Sequence, residues 1–150
     1  MPRHHNILFV LADGGRARLV RRSSETGDYV TVREIDGGDR IKEVRAWMRT
    51  HPAGRSQESG GTSRRSAVGP EDPYRQVKTE FMAKAAAAAK DFGAEHACEG
   101  VVLVATRRLL PILREQFASG PKVLNRLAKD LTKVPDHELP AWLSDLEFAL

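Results

Sequence analysis

The sequence has few of the features that characterise secreted or membrane-spanning proteins. Its single cysteine, Cys98, cannot form an internal disulfide, which favours a reducing compartment and excludes a cysteine-based zinc site. No segment approaches the ~20 apolar residues of a membrane span. The apolar stretch from Ile7 to Ala12 is too short for a signal-peptide core and runs directly into Asp13. We therefore expect a cytoplasmic protein, with Cys98 as a small, half-buried hydrophobic residue.

The residue arrangements of common catalytic and metal sites are also missing. No histidine has a carboxylate or cysteine at ligand spacing. The sequence contains no Gly-x-Ser-x-Gly motif and no Cys–His arrangement that would activate a nucleophile. The five histidines, which we expect to be solvated, are His4, His5, His51, His96 and His137. The sequence thus predicts no catalytic residue, no metal and no cofactor.

Positive charge is concentrated in the first part of the chain. The 150 residues carry a net charge of +4, but residues 1–66 hold 13 Lys/Arg against 8 Asp/Glu, and residues 67–150 hold 11 against 12. Arginine dominates the basic part, and its planar guanidinium suits phosphate groups. This bias favours a polyanionic partner, although a charge of this size is also typical of an ordinary solubilising surface.

Hydrophobic patterning predicts three strands in sequence, followed by helices that alternate with strands. Ile7–Leu11 is a continuous apolar run, typical of an inner strand covered on both faces. A second strand follows from Arg16, with Arg16 and Arg18 on one face and Ala17 and Leu19 on the other. The third strand is predicted over Tyr29–Ile35.

The three predicted strands are followed by a short amphipathic segment around Val44. A polar loop at about 50–70 comes next and is predicted to be mobile. Asp72-Pro73 predicts the start of a helix that ends at Gly93. Val101–Ala105 is predicted to be a second inner strand, parallel to its neighbours. Further elements are a helix that begins at Leu109 and ends near Gly120-Pro121, a strand or helical turn over Lys122–Leu127, and a last helix opened by Pro135-Asp136.

Together these elements predict one α/β domain over residues 1–150, with the order β-β-β-α-β-α-β-α. The sheet is mixed and five-stranded, with Ile7–Leu11 and Val101–Ala105 inside and helices on both faces. This strand order resembles the ribonuclease H-like topology, in which acids on the first strand, the first helix and the end of the fourth strand hold two metal ions. Asp13 and Glu80 stand at two of those places, but the third holds Thr106-Arg107-Arg108, which argues against a nuclease.

The segment Asp13-Gly14-Gly15 has two further interpretations. A phosphate loop requires a helix to begin there, whereas the following "RARLVRR" has the pattern of a strand. A hairpin turn uses all three residues, since Asp and Gly tolerate the positive φ angles that tight reversals favour. We therefore predict that Asp13 is a turn residue and not a metal ligand.

Four stretches carry a resemblance to a known bacterial family. "ILFVLADGGRARLV", "DPYRQVKTEFMAKAA", "VVLVATRRLLPILREQF" and "KVLNRLAKDLTKVPDHEL" resemble the host attachment proteins, part of the bacterial and archaeal release-factor-like (baeRF) group. That group is similar to the middle domain of archaeal and eukaryotic class-one release factors. The resemblance covers nearly the whole chain and implies a ribonuclease H-like sheet without the nuclease acids.

The resemblance also draws attention to the long loop. In release factors the equivalent interval carries Gly-Gly-Gln, which assists hydrolysis of the peptidyl-tRNA ester. This chain has Gly60-Gly61-Thr62 there, so the glutamine is absent, and Thr62 has neither its reach nor its amide. A flexible, soluble Gly/Ser loop is the alternative interpretation.

Three functions follow as hypotheses. The first is a non-catalytic module that associates with RNA or the ribosome and contacts phosphates through arginines of the hairpin and the loop. The candidate contacts are Arg16, Arg18, Arg21, Arg22, Arg55, Arg64 and Arg65. The second is the protein-interaction or host-attachment role that the family name implies. The third, the weakest, is ester hydrolysis at Gly60-Gly61. The sequence does not indicate an oligomeric state.

Overall fold

A computed structural model describes residues 6–50 and 73–148 and has a five-stranded mixed sheet with helices on both faces. The strands are β1 Ile7–Ala12, β2 Arg16–Arg22, β3 Tyr29–Asp36, β4 Gly100–Ala105 and β5 Val123–Ala128. The helices are α1 Gly38–Thr50, α2 Pro73–Glu95, α3 Leu110–Glu115 and α4 Pro140–Phe148, preceded by a 3-10 turn at Asp136–Glu138. The predicted fold class is confirmed.

The strands lie in the order β3-β2-β1-β4-β5. β1 pairs antiparallel with β2 and parallel with β4, β3 is antiparallel to β2, and β5 is parallel to β4. Every residue of β1 and β4 is buried, because side chains from helices and loops cover both faces at the centre of the sheet. The two continuous apolar runs are therefore the inner strands, as predicted.

Each face of the sheet has its own hydrophobic core. On one face, α2 and α3 contribute residues such as Phe81, Met82 and Leu113. On the opposite face, Leu131, Leu139 and Leu143 come from the segment after β5 and from α4. The alternation of β2 is also as predicted, since Ala17 and Leu19 lie in the first core.

The prediction that α2 ends at Gly93 is wrong. The helix continues to Glu95 and is followed by Ala97 in the left-handed region at φ 52°. The amide of Cys98 donates to the Gly93 carbonyl at 2.9 Å, and that of Ala97 to the Ala94 carbonyl at 3.4 Å. This pair of bonds is a Schellman motif, in which Ala97 occupies the position that glycine usually takes.

Four other elements differ from the pattern-based predictions. The amphipathic piece around Val44 is the full helix α1. The ambiguous Lys122–Leu127 stretch is strand β5, and the helix predicted to end near Gly120-Pro121 ends at Glu115. The last α-helix begins at Pro140, and Pro135-Asp136 opens only the short 3-10 turn Asp136–Glu138.

The loop predicted to be mobile at about 50–70 lies almost wholly outside the described residues, and only its first residue, Thr50, is described, at the end of α1. Arg55, Arg64 and Arg65 lie outside them as well, together with the Gly60-Gly61-Thr62 motif. Within the described parts of the chain, no helix has the length and apolar character needed to cross a membrane.

Candidate functional site

Asp13 organises the turn between β1 and β2. Its Oδ1 accepts hydrogen bonds from the amides of Gly15 at 2.8 Å and Arg16 at 2.7 Å, while its own amide donates to the Arg16 carbonyl at 2.8 Å. The other carboxylate oxygen, Oδ2, lies 3.0 Å from the hydroxyl of Thr132. Asp13 is therefore a turn residue, as predicted, and it also ties the hairpin to the segment after β5.

The expected backbone conformation of this turn is wrong. Among the described residues, positive φ angles occur at Gly27, Gly120 and Ala97, and not in the Asp13 turn. The carboxylate bonds close the reversal without a left-handed residue, as in an Asx turn. Gly14 instead leaves room for Lys78, whose Cε would lie 3.4 Å from a Cβ at that position.

The acidic residues do not assemble a metal centre within residues 6–50 and 73–148, where no group of three or more potential ligands meets. Glu80 is exposed on α2, and β4 runs directly into Thr106 and the two arginines. One Asp13 oxygen is already shared by two amides and the other faces a hydroxyl.

Arg16 and Arg18 occupy different environments although they share a face of β2. Arg16 is exposed, and its Cα partner on β3 is Asp36. The side chain of Arg18 is only 12% exposed and donates to the carbonyls of Leu131 and Val134. Burial lowers the pKa of Arg18, and the nearby carboxylates of Asp136 and Glu34 oppose that shift. Arg18 thus holds the segment after β5 against the sheet.

Arg21 and Arg22 lie on opposite faces of the sheet. The Arg21 guanidinium bonds to the Asn6 side chain at 3.0 Å and lies over the ring of Phe92. Arg22 donates to the Gly27 carbonyl and lies 3.4 Å from the carboxylate of Glu147. The four hairpin arginines are thus not gathered into one patch, and at least three of them have internal partners.

A denser group of cations lies at the carboxyl end of β4. Here Arg75, Lys78, Arg107 and Arg108 line an open cavity of about 490 Å³, which we call the basic cleft. Its other lining residues are Leu109, Pro111, Ile112 and Glu115. The lining therefore holds four cations against one carboxylate, an electrostatic environment that attracts anions.

The topology explains how residues distant in sequence meet in the basic cleft. Arg75 and Lys78 are three positions apart on α2, so their side chains share one helix face. Arg107 and Arg108 follow β4 after Thr106, at the carboxyl end of parallel strands where open α/β sheets commonly bind ligands. Among the described residues, neither Arg107 nor Arg108 makes an ion pair.

Sequence reasoning took Arg107 and Arg108 only as an argument against metal binding and passed over Arg75 and Lys78. The available signal was an Arg-x-x-Lys pair near the start of a helix and two arginines directly after an inner strand. Neither pair is specific alone, because only the packing of α2 against the sheet places them around one cavity.

Cys98 and the described histidines do not contribute to the basic cleft. Cys98 packs against the core beneath α2, and burial raises the pKa of its thiol, which disfavours the reactive thiolate. His96 stacks on Phe92 at 4.0 Å between ring centroids, and His137 is exposed beside Glu138.

Comparison with known proteins identifies one family. The model of the family described as "Protein required for attachment to host cells" matches residues 8–143 of this chain. A search of curated proteins gave no match.

Proposed function

The chain belongs to the family of proteins required for attachment to host cells, and for this member we propose, from the geometry of the basic cleft, a role as a non-catalytic RNA-binding module. The observation that carries the proposal is the basic cleft, where four cations and a single carboxylate surround an open cavity. Phosphodiester groups are the anions that such a group of arginines and lysine binds well, since guanidinium groups contact phosphate oxygens in pairs.

The β1–β2 hairpin lies beside the basic cleft. Lys78 packs over Gly14, so one cleft residue touches the β1–β2 turn that also carries the exposed Arg16. A strand of RNA bound in the cleft would pass near this turn. The resemblance to the middle domain of class-one release factors suggests the ribosome as the setting, and such a module would act in the cytoplasm.

Binding through phosphates predicts strong salt dependence and little sequence preference. We expect the full chain to bind an oligouridylate at low salt and to release it as salt rises. Replacing two cleft arginines, in Arg107→Ala/Arg108→Ala, should flatten the slope of log affinity against log salt by up to about 1.4, at ~0.7 for each phosphate contact on single strands.

The matched control removes two exposed cations that line no part of the basic cleft, in Arg126→Ala/Lys133→Ala. This variant should keep the wild-type slope. Filter binding across a salt series gives the slopes, and co-sedimentation with ribosomes in the same buffers tests the proposed setting. Wild-type protein that binds no RNA at low salt would overturn the proposal.

A second candidate function is a protein-interaction role in attachment, which the description of the family favours. Cells that lack the protein should then attach less to host cells, and wild-type protein should restore attachment. Restoration by the Arg107→Ala/Arg108→Ala variant to the wild-type level would separate this role from RNA binding.

A further inference from the structure

A second cavity adjoins the basic cleft across helix α3. This cavity, which we call the α3 pocket, has a volume of about 650 Å³. It is lined by Pro111, Arg114, Glu115, Phe117, Ala118, Gly120, Pro121, Lys122 and Val123. Pro111 and Glu115 line both cavities, so the α3 pocket and the basic cleft meet at a shared wall.

We infer that the two cavities form one site for single-stranded RNA, with phosphate groups in the basic cleft and an unpaired base in the α3 pocket. The inference rests on the proposed RNA-binding function and specifies the form of RNA that is bound. Each cavity falls within the range of about 300–1,000 Å³ that is typical of small-molecule sites.

The lining of the basic cleft suits a phosphate group, and the lining of the α3 pocket suits a nucleobase. The basic cleft is dominated by cations, whereas the α3 pocket combines apolar groups such as Pro121 and Val123 with two cations, Arg114 and Lys122, and the shared carboxylate of Glu115. Phe117 is only 6% exposed, and the ammonium group of Lys90 lies 5.6 Å from its ring centroid. An apolar wall beside two cations suits a nucleobase together with the one phosphate of the same nucleotide.

The shared wall also favours a particular arrangement of the bound strand. The carboxylate of Glu115 repels a phosphate placed between the two cavities, so the phosphates are kept to either side of it. A carboxylate accepts hydrogen bonds, which suits a ribose hydroxyl or a base amino group at that point.

Duplex RNA does not satisfy this arrangement. In a duplex the bases are stacked and paired inside the helix, and the phosphates lie on a convex surface. A base enters a concave pocket only when it is unpaired, and contact of an unpaired base with the protein then adds affinity. The site should therefore discriminate against a duplex even though both forms carry phosphates.

Fluorescence anisotropy can test the inference with a labelled oligouridylate, used alone and annealed to oligoadenylate. Wild-type protein should bind the single strand about tenfold or more tightly than the duplex. In Arg114→Ala/Lys122→Ala, single-strand binding should weaken and its salt slope should flatten by up to about 0.7, the value for the one phosphate beside the α3 pocket. Both side chains are exposed, so this variant should melt like wild type, and Arg126→Ala/Lys133→Ala again serves as the control.

The possible results separate the inference from the proposed function. Equal affinity for single strand and duplex, or unchanged single-strand binding by Arg114→Ala/Lys122→Ala, would overturn the inference and leave RNA binding intact. An absence of binding to either RNA would overturn the proposed function, and the inference with it.

Discussion

At the scale of single residues, two glycines illustrate how differently the same substitution acts. A Cβ on Gly100 would lie 2.6 Å from the carbonyl oxygen of Lys122, the residue directly before β5. We expect Gly100→Ala to destabilise the protein by about 1–3 kcal/mol, because the backbone that leads into β5 must shift. Gly93→Ala is the control. Gly93 lies inside α2, and a Cβ there would lie at an ordinary contact distance of 3.9 Å from the Cβ of Cys98.

Gly93→Ala should stabilise the helix by about 0.5–1 kcal/mol, because glycine loses more conformational entropy than alanine on folding. Urea unfolding of both variants measures the two effects. A gain in stability for Gly100→Ala would contradict the close packing of β4 against β5.

Tyr29 gives the protein a pH dependence in the alkaline range. Burial, with the hydrogen bond from its hydroxyl to Glu147, raises the pKa of Tyr29 to about 12. The folded state holds the Tyr29 proton more tightly than the unfolded chain does. The stability that Tyr29 contributes is therefore complete below about pH 10 and is lost as pH rises towards about 12. A rise of about two pKa units corresponds to about 3 kcal/mol at most.

The variant Tyr29→Phe should show less loss of stability between about pH 9 and about pH 11.5 than wild type does. Urea unfolding at both pH values measures this difference, and tyrosinate absorbance follows the titration itself. An equal loss in both proteins would show that other groups cause the alkaline destabilisation.

At the scale of elements, the β1–β2 hairpin depends on one carboxylate. Asp13 accepts bonds from two amides of the turn, and its second oxygen contacts Thr132. Asp13→Ala should cost about 1–3 kcal/mol, since the amides lose their acceptor. Asp13→Asn should cost less, because an amide oxygen still accepts and asparagine favours the same turn.

Thermal melts of wild type, Asp13→Ala and Asp13→Asn, each with and without magnesium, test this role. We expect the order of stability to be the same in both buffers. A large stabilisation of wild type by magnesium that Asp13→Asn lacks would instead identify Asp13 as a metal ligand.

At the scale of the whole molecule, the arginines fall into two groups. Some stabilise the fold, and others lie close enough to repel one another. Arg18 donates to two backbone carbonyls and faces Asp136 at 3.7 Å, so Arg18→Ala should lower stability by about 1–3 kcal/mol. The basic cleft instead holds four cations and one carboxylate in one cavity, so repulsion between cations outweighs attraction there. Two unit charges about 8 Å apart in water repel by about 0.5 kcal/mol.

The variant Arg107→Ala/Arg108→Ala should therefore have a melting temperature equal to or above that of wild type at low salt. Added salt should reduce any increase in melting temperature, because it screens the repulsion that the variant removes. This result, together with weaker RNA binding, would indicate residues retained for binding and not for stability. A variant that melts as low as Arg18→Ala would show that Arg107 and Arg108 are structural.

Much of the architecture follows from local sequence. The continuous apolar runs of β1 and β4 predict strands buried on both faces, since only such strands have no polar side. Asp13 predicts the hairpin turn, because its side chain bonds to nearby backbone amides in whichever fold contains it. These features depend on interactions within a few residues or on simple burial.

The end of α2 and the candidate site were decided by tertiary structure. Gly93 resembles a helix terminator, yet packing allows the helix to continue to Glu95 and places Ala97 in the left-handed region. Arg18 and Arg107 are alike in sequence as cations beside apolar strands. One is buried against the segment after β5, and the other lines the basic cleft with Arg75 from a distant helix. Burial and charge clustering depend on residues far apart in the chain, so only the assembled sheet determines which arginines stabilise the fold and which face a ligand.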